Sequence, residues 1–204
     1  MTNIIFDFDG TLVDSFNLII EITHRLTKHP KLIDKKEISK LRELQITALA
    51  QELNIPKYKW PYLLLRGRKL MQTRIDEIKP FQGIDAVLRE LSHKNCKVYI
   101  LSSNSNKNIE FFLNKYGLAK YVNGIYGRVG LFGKARVLAK MIAKHKMNND
   151  ETYYIGDELR DIEASKKVHI KIIAVSWGFN SKSVLRSLNP DYIVDQPSEI
   201  LKIV

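Results

Sequence analysis

Short apolar runs recur along the chain, each bounded by turn residues. Ile4 to Phe8 is broken only by Asp7. Val98 to Leu101, Thr152 to Ile155 and Ile170 to Val175 follow, and Ile193-Val194 makes a short fifth. Their β-branched and aromatic content suits strands buried on both faces of a parallel sheet. Helical periodicity lies between them, over Asn108 to Tyr116, Ala135 to Lys146 and Asp161 to Lys167. Strands alternating with helices predict a doubly wound, Rossmann-like α/β sheet.

One stretch interrupts the alternation. From Ser15 to Pro80 the pattern is helical throughout. Phe16, Ile19, Ile20 and Thr23 share one face. Ile38, Leu41, Leu44, Ala48 and Leu49 form a second stripe, opened by an Asp34/Glu37 capping box. Pro56 and Pro61 bracket a break, and Leu63, Leu70, Met71, Ile75 and Ile78 predict a third helix. Gly67 weakens that helix by about 1 kcal/mol relative to Ala. Pro80 and Gly83 mark the return to the alternating pattern. The predicted organisation is an α/β core of residues 1–14 and 81–204, with residues 15–80 inserted as an all-helical cap after the first strand.

Composition narrows the class. The 204 residues are 45% hydrophobic and 27% charged, ordinary for a globular chain and against fibrous or disordered readings. Cys96 is the single cysteine, which excludes an internal disulfide and a cysteine-built zinc site. No apolar run reaches the ~18 residues of a membrane helix, and the acidic N-terminus does not resemble a signal peptide. A cytoplasmic protein is the expectation. The formal charge of +11 is uneven: the segment from Ser15 to Pro80 carries +7 of it. Charge alone also permits a non-enzymatic nucleic-acid-binding protein, but no helix-turn-helix, zinc-finger or RNA-binding signature accompanies it.

The candidate chemistry falls at strand ends. Asp7 and Asp9, in Asp7-Phe8-Asp9-Gly10-Thr11-Leu12-Val13-Asp14, point to one side of the first strand. Two carboxylates there repel each other, and a hard divalent cation such as Mg²⁺ relieves the cost. Gly10 permits a turn and Thr11 adds a hydroxyl. A second acidic pair, Asp157 and Asp161 in Gly156-Asp157-Glu158-Leu159-Arg160-Asp161, lies one helical turn apart after the third strand. Ligands of open α/β sheets bind at this edge. Ser102, Ser103 and Asn104 end the second strand with hydroxyl and backbone N–H groups suited to phosphate oxygens. Phe132-Gly133-Lys134 opens a helix, where an ammonium adds to the helix N-terminus. Arg128 and Ala135 stand where a P-loop needs Gly and Ser/Thr, so Lys134 is not a P-loop lysine.

This ordered set resembles the haloacid-dehalogenase-like hydrolase superfamily, and the helical insertion is similar to the type 1 cap of its phosphoglycolate-phosphatase-like branch. The resemblance implies a Mg²⁺-dependent phosphatase acting on a small phosphomonoester, phosphoglycolate-like or a sugar phosphate. It implies Asp7 as nucleophile and Asp9 as general acid and base. It implies Mg²⁺ on Asp7, the Asp9 backbone carbonyl and Asp157, with Asp161 behind them. Ser102 and Lys134 are implied to bind the phosphoryl group, with Gly10, Thr11, Ser103 and Asn104 shaping its pocket. Glu158 is either a further acid beside the metal or a surface residue. A phosphomutase on the same scaffold is the alternative. A true dehalogenase is disfavoured, since it uses no metal and leaves Asp9 without a role.

Other residues carry less. His24, His29, His93, His145 and His169 have no metal-ligand spacing and read as packing or surface. Trp177-Gly178-Phe179 reads as core packing, with the rim of the site as alternative. Arg66, Arg68, Lys57, Lys59 and Lys69 read as a solvated face, with Arg66 and Arg68 reaching a substrate anion as the alternative.

Overall fold

The computed structural model describes residues 1–32, 34–44, 48, 51–130 and 133–204. Six strands form one parallel sheet: β1 (Asn3–Phe6), β4 (Lys97–Leu101), β5 (Gly124–Tyr126), β6 (Thr152–Gly156), β7 (Lys171–Val175) and β8 (Tyr192–Val194). Their spatial order is β5-β4-β1-β6-β7-β8. Alternation along each strand sorts side chains to two faces. Ile4, Phe6, Val98, Ile100, Ile173 and Val175 join one apolar cluster. Ile5, Tyr99, Leu101, Ile172 and Ala174 join the other. Both faces are buried, which is why these strands read as continuous apolar runs. This is the Rossmann-like doubly wound core.

Three core elements have no counterpart in the predicted pattern: β5, the helix before β4 and the short helix after β7. The edge strand β5 is three residues long and only half-buried, too short for a periodic signal. Helix α4 (Ile84–His93) buries Ile84, Val87, Leu88 and Leu91, a clean helical stripe. The helices read from periodicity are α5 (Asn106–Lys115), α6 (Lys134–His145) and α7 (Leu159–Lys167). A short α8 (Lys182–Ser187) follows β7.

The helical cap leaves and rejoins the core through a two-stranded antiparallel ribbon, β2 (Val13–Asp14) with β3 (Lys79–Pro80). Within it, α1 (Phe16–Thr27) packs against α3 (Trp60–Thr73), with Leu18, Ile22 and Met71 buried. Pro61 sits in the first turn of α3, where its missing N–H costs nothing.

The stripe from Ile38 to Leu49 is not one helix. Helix α2 (Lys35–Leu41), capped by Asp34 side-chain bonds to Lys36 N and Glu37 N, ends at Leu41. The chain then tightens into i→i−3 bonds as the core captures it. The Arg42 carbonyl accepts from Ser181 N, and Asn180 Nδ2 donates to the Arg42 and Leu44 carbonyls. Tertiary hydrogen bonds thus override the local period. Leu49 lies outside the described residues. The third predicted helix is also shorter: α3 stops at Thr73, and Ile75–Glu77 is a separate 3₁₀ turn. No helix among the described residues is long and apolar enough to cross a membrane.

Candidate active site

The adjacent central strands β4, β1 and β6 end together, and the loops beyond them carry the acidic residues. Asp7 follows β1 directly. Its Oδ1 accepts from Phe8 N at 2.7 Å and its Oδ2 from Lys134 Nζ at 2.5 Å. Lys134 is the first residue of α6 and also donates to Asp161 Oδ1. Asp161 Oδ2 accepts from Glu158 N at 3.0 Å, capping the start of α7. Asp157 ends β6: its Oδ1 accepts from Thr11 Oγ1 and its Oδ2 from Phe179 N, both at 2.7 Å. Lys134 is 2% exposed and Asp157 and Asp161 are fully enclosed.

Two glycines make this closeness possible. Gly10 has φ +78°, and a Cβ there would stand 2.1 Å from Asp157 Oδ2. At Gly178 a Cβ would stand 2.2 Å from Asp157 Cβ. Any side chain at either position displaces Asp157.

Carboxylate oxygens of Asp7, Asp157 and Asp161 lie within 4.8 Å of one another. Three buried carboxylates face one ammonium, and Glu158 is already paired with Arg160 at 2.5 Å. The cluster therefore has a deficit of positive charge. Burial raises Asp7 to about 7, with Lys134 opposing and Asp161 reinforcing the rise. Burial likewise pushes Asp157 well up, and Glu158 and Asp7 add to it. For Lys134, burial works against the charge, but Asp161 and Asp7 outweigh it and hold the ammonium above its usual value. An all-oxygen donor set with surplus negative charge fits a hard divalent cation.

Asp9 stands apart from this cluster. Its Oδ2 accepts from Asn104 Nδ2 at 3.0 Å, while its buried Oδ1 has no hydrogen-bond partner. Burial lifts its carboxyl above the ordinary range, against the lowering influence of Ser15 and Asn104. The Ser15 hydroxyl nonetheless makes no hydrogen bond of ordinary geometry. Asp9, Ser103, Asn104, Glu158 and Arg160 line the floor of a cavity of about 300 Å³ that extends beneath the cap.

The remaining sequence candidates are placed as follows. Ser102 is fully buried, and its Oγ accepts from Asn104 N at 3.0 Å. The Ser103 carbonyl accepts from Arg68 Nε at 2.6 Å. Thr11 turns its hydroxyl onto Asp157 rather than toward the cavity. Glu158 pairs with Arg160 and is not a surface residue. Phe132 lies outside the described residues.

Arg160 and Arg42 carry no local signal in the sequence, while Trp177-Gly178-Phe179 and Arg68 read there mainly as packing and as a solvated face. Arg160 has two buried donors, Nε and Nη1, without partners. Trp177-Gly178-Phe179 edges the site as well as packing: Trp177 Nε1 donates to the Thr11 carbonyl at 3.1 Å. Arg68 is no solvated residue, since it also donates to the Val129 carbonyl at 3.3 Å. Arg42 donates to the Phe179 carbonyl at 3.1 Å and to that of Gly178 at 2.5 Å. Two cap arginines thus latch the helices onto the loops after β4 and β7. Arg66 and Lys69 remain exposed.

A buried carboxylate cluster with one lysine, at the carboxyl edge of a parallel sheet and beneath inserted helices, fits a hydrolase whose acids could hold a divalent metal. Residues 4–175 match the sequence profile described as haloacid dehalogenase-like hydrolase, and the chain belongs to that family. Among its relatives is a phosphoglycolate phosphatase of Synechococcus elongatus, 32% identical over 100% of this chain and 97% of that one. Pyrophosphatase PpaX of Oceanobacillus iheyensis is 24% identical over 98% of this chain and 95% of its own length. A haloacid dehalogenase-like hydrolase of solved structure from Streptococcus pneumoniae superposes with a TM-score of 0.80 at 25% identity, covering 100% of this chain and 98% of that one. The protein is a phosphatase of the phosphoglycolate-phosphatase-like branch.

Proposed function

We propose that this phosphatase hydrolyses a small phosphomonoester with Mg²⁺ and through an aspartyl-phosphate on Asp7. The observation that carries the reading is the enclosed set of Asp7, Asp157, Asp161 and Lys134, with Asp9 beside it facing the cavity. Asp7 and Asp157 would hold the metal, with the Asp9 carbonyl, and Asp161 stands close behind. Bound there, Mg²⁺ supplies the missing positive charge and screens the phosphoryl oxygens from Asp7.

Asp7 attacks phosphorus, and the bond from phosphorus to the leaving oxygen breaks. Asp9, whose carboxyl burial lifts above its ordinary value, gives a proton to that oxygen. The resulting Asp9 carboxylate then takes a proton from water, which attacks the phosphoryl-aspartate, frees phosphate and restores Asp7. Lys134 and Ser102 offset charge on the transferring group, and Gly10, Thr11, Ser103 and Asn104 shape its surroundings. The same proposal takes residues 15–80 as lid, residues 1–14 and 81–204 as catalytic unit, and the cytoplasm as location. A cavity with few partners for sugar hydroxyls favours hydrolysis over the phosphomutase alternative.

Release of inorganic phosphate from a phosphomonoester panel tests the reading, with 2-phosphoglycolate and pyrophosphate included. Mg²⁺-dependent release, abolished by chelator and reduced on the order of 10³-fold or more in Asp7→Asn, is expected. Full activity in Asp7→Asn, or indifference to chelator, overturns it.

A further inference from the structure

The cavity beneath the cap has a polar floor and largely apolar walls. Above its polar floor the walls are Ile19, Leu26, Leu41, Leu53, Leu63 and Met71. Several polar groups on the cap side are hydrogen-bonded to backbone. Thr23 Oγ1 donates to the Ile19 carbonyl at 2.7 Å. Arg42 and Arg68 donate to core carbonyls, and Asn180 Nδ2 donates to the Arg42 and Leu44 carbonyls. Arg160 pairs with Glu158 through Nη2, and its Nε and Nη1 at the floor have no partner among the described residues. A glycolate carboxylate or a second phosphate placed against these apolar walls would find no donor among them, and burying a charge there is costly.

The space is also larger than a two-carbon leaving group needs. Its volume of about 300 Å³ is roughly twice that of a cavity that holds benzene. Gly67, in the middle of α3, lines the same space. A Cβ at Gly67 would find only Ile22 Cγ2, at 3.9 Å. The helix accepts a residue of poor propensity where an alanine would fit, and the result is open volume over the site.

We propose that the substrate is a phosphomonoester whose organic part is apolar and of roughly four to eight carbons, an alkyl or aryl group seated among α1, α2 and α3 with its phosphate at Asp7. This rests on the phosphatase reading and narrows it. The leaving oxygen lies at the floor beside Asp9, where the proton is needed, and the carbon chain occupies the apolar space above.

The test is a homologous series of primary alkyl phosphates, methyl to octyl, with phenyl phosphate, 2-phosphoglycolate and pyrophosphate, assayed with Mg²⁺. Transfer of each methylene into the cavity should raise kcat/KM about threefold to fourfold. The climb from methyl to hexyl phosphate should be on the order of 10²-fold or more, then level off as the space fills. Gly67→Leu should flatten this slope while raising Tm, which separates loss of the cavity from loss of the fold. A flat series, or 2-phosphoglycolate or pyrophosphate turned over faster than hexyl phosphate, overturns the proposal, the latter meaning that the Arg160 donors take an anion. If no ester is hydrolysed, the phosphatase reading fails instead. Calorimetry with methyl- and hexylphosphonate then decides the cavity on its own: much tighter hexylphosphonate binding supports it, and equal binding overturns it.

Discussion

At the sheet edge, all six carboxylate oxygens of Asp7, Asp157 and Asp161 have a donor within hydrogen-bond reach. Above it, in the cavity under the cap, few polar atoms are available and the walls do not meet. The first region has no room for a methyl group at Gly10 or Gly178; the second has room for a whole side chain at Gly67. The contrast separates two tasks. Phosphoryl chemistry needs carboxylates held to a fraction of an ångström, which hydrogen bonds and glycine clearances supply. Selection of the organic group needs only shape and apolar area, which helix side chains supply and which change without disturbing the acids.

The comparison can be broken at its most enclosed point first. Lys134→Met leaves Asp7 and Asp161 without their cation, and without metal the fold should lose about 3–5 kcal/mol in denaturant titration. A loss below about 1 kcal/mol would mean that the acids rearrange freely. Next is Gly178→Ala, whose methyl group would overlap Asp157: kcat/KM for any substrate should fall about 10²-fold with a clear drop in Tm. Unchanged kinetics would show that Asp157 tolerates displacement.

Metal removal probes the same edge through pH. The folded Asp7 value stands at about 7 against an ordinary 3.8, and Asp157 is raised as well. The native metal-free protein therefore binds more protons than the unfolded chain between those values, and its stability falls as pH rises through that window. Mg²⁺ replaces those protons. Its stabilisation of the fold should be small at pH 5 and large at pH 8, approaching ~2.7 kcal/mol at a hundredfold excess over Kd. An increment independent of pH would separate the metal from these acids.

The smaller effects lie in the cap. Arg68→Ala removes two bonds to core carbonyls and should raise KM several-fold, with ~1–2 kcal/mol of lost cap closure and little change in kcat once substrate is bound. Gly67→Ala should do the opposite of Gly178→Ala and raise stability by about 1 kcal/mol, since its methyl group meets nothing closer than 3.9 Å. Equal outcomes at the two glycines would erase the contrast between the regions.

The sequence discloses these regions unequally, for a physical reason. Asp7, Asp9, Asp157 and Asp161 are legible because strand alternation and one helical turn fix their spacing locally. The apolar runs of β1, β4, β6 and β7 are legible because both faces are buried. Arg42 and Arg160 are not, since each acts through partners that only folding brings near: Arg42 meets Phe179 across 137 positions. The stripe from Ile38 to Leu49 overruns the real end of α2 because the core's grip on the Arg42 and Leu44 carbonyls is tertiary. The cavity is invisible for the same reason, since an apolar helix face reads alike whether its neighbour fills the space or stops short of it.

The ribbon of β2 and β3 sets Val13 opposite Pro80 and Asp14 opposite Lys79. Phe81 N continues it with a bond to the Leu12 carbonyl, and Gly10 N bonds the Val13 carbonyl. The helical segment thus departs and returns through adjacent backbones, like a page held in one binding. Such a seam suits exchange: a foreign segment of any length can be spliced between Asp14 and Lys79 while the sheet keeps its strand order. A library of grafted lids on one unchanged acid cluster would turn a single hydrolytic scaffold into a set of selective ones.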